Sequence, residues 1–168
     1  ELAVAELLKI INPITDVETI SISNALGRTL AQEIVSNVNV PPCDNSAMDG
    51  YAFSYDSLSS SEPLELVGIS LAGQPYQGKV AKGQCIRIMT GAKMPIDCDS
   101  VQMQEKCQVD AEKVLIDKPS NFGSNVRSAG EDVAKGSQVF EKGRQLKVAD
   151  IGVLASLGVA KINVFRRV

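Results

Sequence analysis

Histidine and tryptophan are both absent from this chain, and aromatic residues make up only 4% of it. Without histidine, no Ser-His or Cys-His catalytic pair can be assembled from this polypeptide, and a mixed Cys/His zinc site is nearly excluded. Acid and base work falls instead to Asp, Glu, Lys or Tyr. The four cysteines, Cys43, Cys85, Cys98 and Cys107, lie 42, 13 and 9 residues apart with no C-x-x-C pair, so they read as small reduced hydrophobes on strands. Neither sign of charge dominates. Seventeen Lys and Arg against 20 Asp and Glu give a net charge of −3, which supplies no basic field for nucleic acid and points to a small molecule or a protein as partner. No apolar run approaches the roughly 20 residues that span a bilayer, and the start shows no basic leader followed by an apolar stretch. The chain therefore reads as cytoplasmic and without a membrane role, and its Glu1 start and Arg166-Arg167-Val168 end suit a trimmed piece.

What is present is ordinary globular material, with 44% hydrophobic and 22% charged residues over 168 positions. That suffices for a substantial core in one domain or two small ones. Val4, Leu7, Leu8 and Ile11 repeat at i, i+3, i+4, i+7 and predict a short amphipathic helix over 2–11, ended by Asn12-Pro13. A strand over Glu18–Ile22, a helical turn over Ser23–Gly27 and an extended Thr29–Ser36 follow. Strands are predicted at Tyr51–Phe53, Leu64–Val67 and Cys85–Met89, with a Ser-rich loop from Ser57 to Pro63. Val101, Met103, Cys107 and Val109 alternate strictly across 100–109, and Glu105 fills the remaining slot on that apolar face. A carboxylate there lies either at the rim of a sheet or in a functional cleft. Asp110-Ala111-Glu112 fits a hairpin loop leading into a strand over Lys113–Asp117. Lys135-Gly136 and Lys142-Gly143 flank Val139-Phe140 as turn signals. Val148, Ile151, Leu154 and Ala155 give a helix with Asp150 near its positive end and Gly158 as a left-handed cap, and Lys161–Phe165 closes as a strand.

Two polar clusters interrupt this text. The first, Pro41-Pro42-Cys43-Asp44-Asn45-Ser46-Ala47-Met48-Asp49-Gly50-Tyr51-Ala52, has two prolines that fix the backbone, side chains that fold back onto nearby amides, and a carboxylate beside a residue free to take positive φ. The second runs from Asn125 to Val133 and contains Arg127, Glu131 and Asp132. The order of elements is mainly β with a few helices (α+β), and it suggests nesting. Residues 1–43 plus 129–168 form a scaffold into which a β-rich unit, 44–128, is inserted, with the two polar clusters as the crossings near one another in space.

Four motifs then carry a resemblance: Asp44 to Ala52, Cys85-Ile86-Arg87-Ile88-Met89-Thr90-Gly91-Ala92, Val101-Gln102-Met103-Gln104-Glu105, and Gly130-Glu131-Asp132. In this order and spacing, together with Ala155-Ser156-Leu157-Gly158, the chain resembles the N-terminal region of the molybdopterin molybdotransferases, the MoeA and gephyrin E-domain family. Cys43 departs from that pattern, which has a bulky residue there. The resemblance implies an elongated scaffold domain and an inserted barrel-like domain. It also implies that an α/β molybdopterin-binding domain and a C-terminal β domain lie downstream, absent from this chain. The implied activity is insertion of molybdate into adenylylated molybdopterin with release of AMP, assisted by a divalent cation, usually Mg²⁺, in a cleft shared between the subunits of a homodimer. This chain alone would then be inactive. A non-catalytic, gephyrin-like binding scaffold is the alternative.

Charge released on phosphate oxygens calls for a cation held by carboxylates, for backbone N–H groups and for an arginine. On this chain, Asp49 is the first candidate, as catalytic carboxylate and Mg²⁺ ligand, or else it caps its own turn. Thr90 and Gly91 offer a hydroxyl and amides to an anion, or form a plain turn. Arg127 matches two phosphate oxygens, or pairs with Glu131 or Asp132. Glu105 is a further catalytic candidate, and Asp44, Asn45 and Ser46 are candidates for substrate binding. Because a carboxylate repels molybdate, a role for Asp49 beside it requires a cation or a proton between them.

Overall fold

A computed structural model of the chain describes Val4 and residues 12–59, 62–117 and 121–167. The expected helix over 2–11 lies outside the described residues apart from Val4. The chain divides into two compact units, Glu1–Val38 with Lys135–Val168, and Asn39–Ala134.

In the first unit, β1 (Val17–Ser21) pairs antiparallel with β12 (Lys161–Phe165), and β2 (Ile34–Val35) pairs with β11 (Gln138–Phe140). The expected turn of helix after β1 is a 3₁₀ turn at Ile22–Asn24, one register earlier than read, and Gly27 follows at φ 71°. The helix Val148–Ser156 forms where predicted. Its Asp150 carboxylate accepts the Lys147 amide at 2.9 Å and two Arg144 N–H groups at 2.9 and 3.2 Å, satisfying a first-turn donor that the helix itself leaves orphaned. Gly158 takes φ 73°, the left-handed conformation that stops the helix. Leu30, Ile34, Phe140, Leu146, Leu154, Ile162 and Val164 form the core of this unit.

The second unit is built on a six-stranded mixed sheet, which with the short ribbons makes the chain mainly β. Its strands are β4 (Gly50–Phe53), β5 (Leu64–Ser70), β6 (Gln84–Ile88), β7 (Ser100–Met103), β8 (Cys107–Asp110) and β9 (Lys113–Ile116), in the order β7-β4-β6-β5-β9-β8. Only β5 and β6 pair in parallel. A separate ribbon joins β3 (Asn45–Ser46) to β10 (Val126–Arg127). Both faces of the central strands are covered. Tyr51, Phe53 and Cys85 pack with Leu64 and Val114 on one side, while Ala52, Ile86 and Ile88 pack with Met94 and Val101 on the other. Their sequences therefore read as apolar runs, not as a polar and apolar alternation.

Two expectations change. Tyr55–Ser59 is a 3₁₀ turn that buries Leu58, so the expected Ser-rich loop is helical over its first residues. The strict alternation over 100–109 does not belong to one strand. Gln104–Lys106 forms a 3₁₀ turn, so Met103 ends β7 and Cys107 begins β8, at opposite edges of the sheet. The Gln104 amide donates to the Asp49 carbonyl at 3.1 Å, one step beyond the Gly50–Met103 pair, and the chain turns away from the ladder after it. Glu105 is exposed on this turn and lies on no apolar face.

Candidate functional site

Asp49 and Thr90 are 41 residues apart in sequence and meet because β4 pairs with β6. Asp49 immediately precedes Gly50 at the start of β4, and Thr90 lies two residues beyond Ile88, which is opposite Gly50 in the ladder. Gly50 sits between β6 and β7, so close to β7 that a Cβ would lie 2.0 Å from the Gln102 carbonyl oxygen. Only a glycine lets the strand pass there, and the passage delivers Asp49 to the end of the sheet.

One oxygen of Asp49, Oδ1, accepts both the Thr90 amide and the Thr90 hydroxyl, each at 2.7 Å. These two bonds, the amide first, hold the Asp49 carboxyl below the usual carboxylate range, and the positive charge of Arg87 adds to the effect. Asp49 is thus a fixed anion with Oδ2 bearing no hydrogen bond among the described residues. It does not cap its own turn; it caps the end of a neighbouring strand.

The other predicted residues fall around this pair but do not converge on it. Thr90 and Gly91 do not present free amides to an anion. The Thr90 amide is taken by Asp49, and Gly91, at φ 78°, donates to the Ser46 carbonyl at 2.8 Å. Ser46 is buried, and its hydroxyl donates to the Met48 carbonyl at 2.6 Å. Asn45 lies opposite Arg127 in the β3–β10 ribbon, and Asp44 Oδ1 accepts the Ala129 amide at 2.7 Å, so the two polar clusters are stitched together. Arg127 is 2.7 Å from Asp132 and 3.5 Å from Glu131, so its charge is balanced within its own cluster. The Gln104 side-chain amide donates to Glu105 at 3.1 Å.

Arg87 and Gln104 were missed by the sequence reading. Arg87 stands directly opposite Tyr51 in the β4–β6 ladder, with its guanidinium 5.1 Å from the Tyr51 ring centroid. It donates to the Gly50 carbonyl at 3.4 Å and to the Gln104 side-chain oxygen. The signal was available, since a charge inside Cys85-Ile86-Arg87-Ile88-Met89 is the same kind of conflict that drew attention to Glu105.

A cleft of about 570 Å³ lies beside Asp44, lined by Cys43, Tyr76, Lys93, Met94 and Ile96 among others; Asp49 and Thr90 are outside it. Burial pushes the Cys85 and Cys98 thiols up to about 12 and Cys107 up to about 11, so these three are inert at neutral pH. Among the described residues no three His, Cys, Asp or Glu side chains are grouped to hold a metal ion, and no helix is long and apolar enough to cross a membrane.

The mixed sheet and the ordered motifs that build it fit one class: the chain belongs to the MoeA N-terminal region family (domain I and II), whose family model matches residues 1–158. It is 40% identical over 157 residues to a molybdopterin molybdenumtransferase of Haemophilus influenzae, covering 91% of this chain and 38% of the relative. A relative of the same name from Nostoc is 36% identical, with 90% and 36% covered. The fold is similar to the crystal structure of the molybdopterin biosynthesis MoeA protein from Pyrococcus horikoshii OT3, with a TM-score of 0.91, 33% identity, and 97% of this chain and 44% of that one covered. The chain therefore spans about two fifths of the length of the relatives it matches.

Proposed function

We propose that this chain is the N-terminal part of a molybdopterin molybdotransferase, acting in molybdenum cofactor biosynthesis by inserting molybdate into adenylylated molybdopterin with release of AMP. The observation that carries this reading is the Asp49–Thr90 pair, a carboxylate ionised and oriented by two 2.7 Å bonds at the end of a sheet, with one oxygen left over. The names of the relatives support the chemistry.

A carboxylate held below its ordinary range is a poor general acid at neutral pH and a good ligand for a cation. Mg²⁺ characteristically takes one or two protein carboxylates and completes its shell with water and substrate phosphates, so Asp49 Oδ2 fits as the single ligand from this chain. When bound, the cation would neutralise charge on the phosphate oxygens. Thr90 keeps Asp49 turned toward that position, and Glu105, exposed on the neighbouring turn, is a second carboxylate at the rim. Asp44, Asn45, Ser46, Gly91 and Arg127 act by holding the two polar clusters together behind the site. The same proposal includes residues 44–128 as an inserted domain, a homodimer whose cleft draws on both subunits, and a cytoplasmic location. Activity is expected from the full-length enzyme and not from this chain alone.

The test is Asp49→Ala in the protein extended to the full length of its relatives. Maturation of molybdenum cofactor is expected to be lost while the amide spectrum of this region is retained. Normal molybdoenzyme activity in cells that depend on the variant would refute the reading.

A further inference from the structure

We propose that Arg87 is an oxyanion-binding residue of the Asp49–Thr90 site, receiving a tetrahedral oxodianion at the edge of the sheet beside Asp49. This rests on the reading of Asp49 given above and supplies the positive charge that reading lacked.

The unit Asn39–Ala134 contains two arginines, Arg87 and Arg127. Arg127 is neutralised by Asp132 and Glu131. Arg87 is held by neutral groups: the Gly50 carbonyl, the Gln104 side-chain oxygen and the face of the Tyr51 ring. Those contacts fix its position without cancelling its charge. A guanidinium has five N–H donors, and two are engaged, so three remain on a partly exposed side chain. The planar fork suits two oxygens of one anion, and the Tyr51 ring pre-orients it, so little rotamer freedom is lost on binding.

Asp49 would otherwise repel such an anion. Arg87 donates to the carbonyl of Gly50, the residue next to Asp49, and to the side chain of Gln104, whose backbone amide donates to the Asp49 carbonyl, so the fold itself places a positive charge beside the negative one. The backbone amides of Thr90 and Gly91 are already spent, which leaves the Arg87 guanidinium as the donor group that the β4–β6 ladder aims at this end of the sheet.

Two sources offer this chemistry, molybdate itself and the phosphate of an adenylate, and the experiment separates them. The 168-residue chain is titrated at low salt with sodium molybdate in one arm and AMP in the other, followed by ¹H–¹⁵N shifts of the Arg87 Nε–H and the Thr90 amide. Saturable shifts at both positions are expected in at least one arm. Arg87→Gln is expected to weaken that binding at least tenfold and Arg87→Lys about threefold or more, because a lysine keeps the charge but loses the fork, whereas Lys82→Gln, at an exposed position of the same unit, leaves it unchanged. If Arg87→Gln does not fold, Arg87→Lys carries the test. Absence of saturable shifts in both arms, undiminished binding in Arg87→Lys, or loss of binding in Lys82→Gln would each overturn the assignment. Loss of cofactor maturation in Asp49→Ala without oxyanion binding at Arg87 refutes only this inference. Saturable binding alongside normal maturation in Asp49→Ala refutes the functional reading instead.

Discussion

Gly50→Ala is the most demanding single-atom test of how the site is built. The added Cβ would lie 2.0 Å from the Gln102 carbonyl oxygen, 2.9 Å from the Gln102 carbonyl carbon and 3.2 Å from Met103 Cα. All three are backbone atoms of β7, so no side chain can rotate away. Ordinary contact begins near 3.4 Å, so β7 must move by more than an ångström relative to β4, in a ladder where Gly50 also faces Ile88 on its other side. Overpacking of this kind costs about 1–3 kcal/mol, and a lost ladder hydrogen bond adds about 1 kcal/mol, which makes about 3 kcal/mol a fair expectation. For a unit of this size that lowers the melting temperature by roughly 12–24 °C. Urea unfolding followed by amide exchange within Asn39–Ala134 measures the cost, and the Thr90 amide shift reports whether Asp49 has moved. Gly152→Ala is the control. Gly152 is an exposed helical position with nothing within 4 Å of the new Cβ, and that variant is expected to stabilise its unit by about 0.5–1 kcal/mol. A Gly50→Ala cost under about 1 kcal/mol with an unmoved Thr90 amide would refute the close-approach argument.

Two further predictions concern titration and reactivity. Thr90→Val removes the hydroxyl bond to Asp49 and keeps the amide bond, so the Asp49 carboxyl rises toward its ordinary range but stays below it, as read by ¹³C carboxyl NMR; an unchanged titration would contradict the assigned cause. Because the folded value is depressed, the stability Asp49 contributes is present above the unfolded carboxylate range near pH 3.9 and is lost as pH falls through the folded value, so the variant loses a smaller contribution at higher pH. At pH 8 a disulfide reagent is expected to modify Cys43, which is partly exposed, well before Cys85, Cys98 and Cys107, whose thiols are held up by burial, and rapid reaction of Cys85 in the folded chain would show that its burial is overstated.

Some features were legible because their signals are local. The helix Val148–Ser156 announces itself through an apolar repeat, Asp150 in its first turn and Gly158 beyond its end, and all three act in the structure as their chemistry predicts. The β8–β9 hairpin likewise follows from Asp110-Ala111-Glu112, where Ala111 takes φ 51°. Glu105 misled because alternation cannot tell one strand from two strand ends separated by three residues. Spacing survives the 3₁₀ turn at Gln104–Lys106, but the shared face does not.

The order of motifs, the membership of a family and the identity of Asp49 as the residue to watch belong to the sequence, since turn chemistry and residue type are carried along the chain. What each charge does was decided by tertiary pairing. Asp49 is fixed in place and held below the usual carboxylate range because β4 and β6 bring Thr90 to it from 41 residues away; Arg127 is spent on its neighbours; and Arg87 keeps its charge because its acceptors are neutral. A charge is defined by its partners as much as by its own chemistry, and those partners are chosen by strand register, which no local pattern encodes.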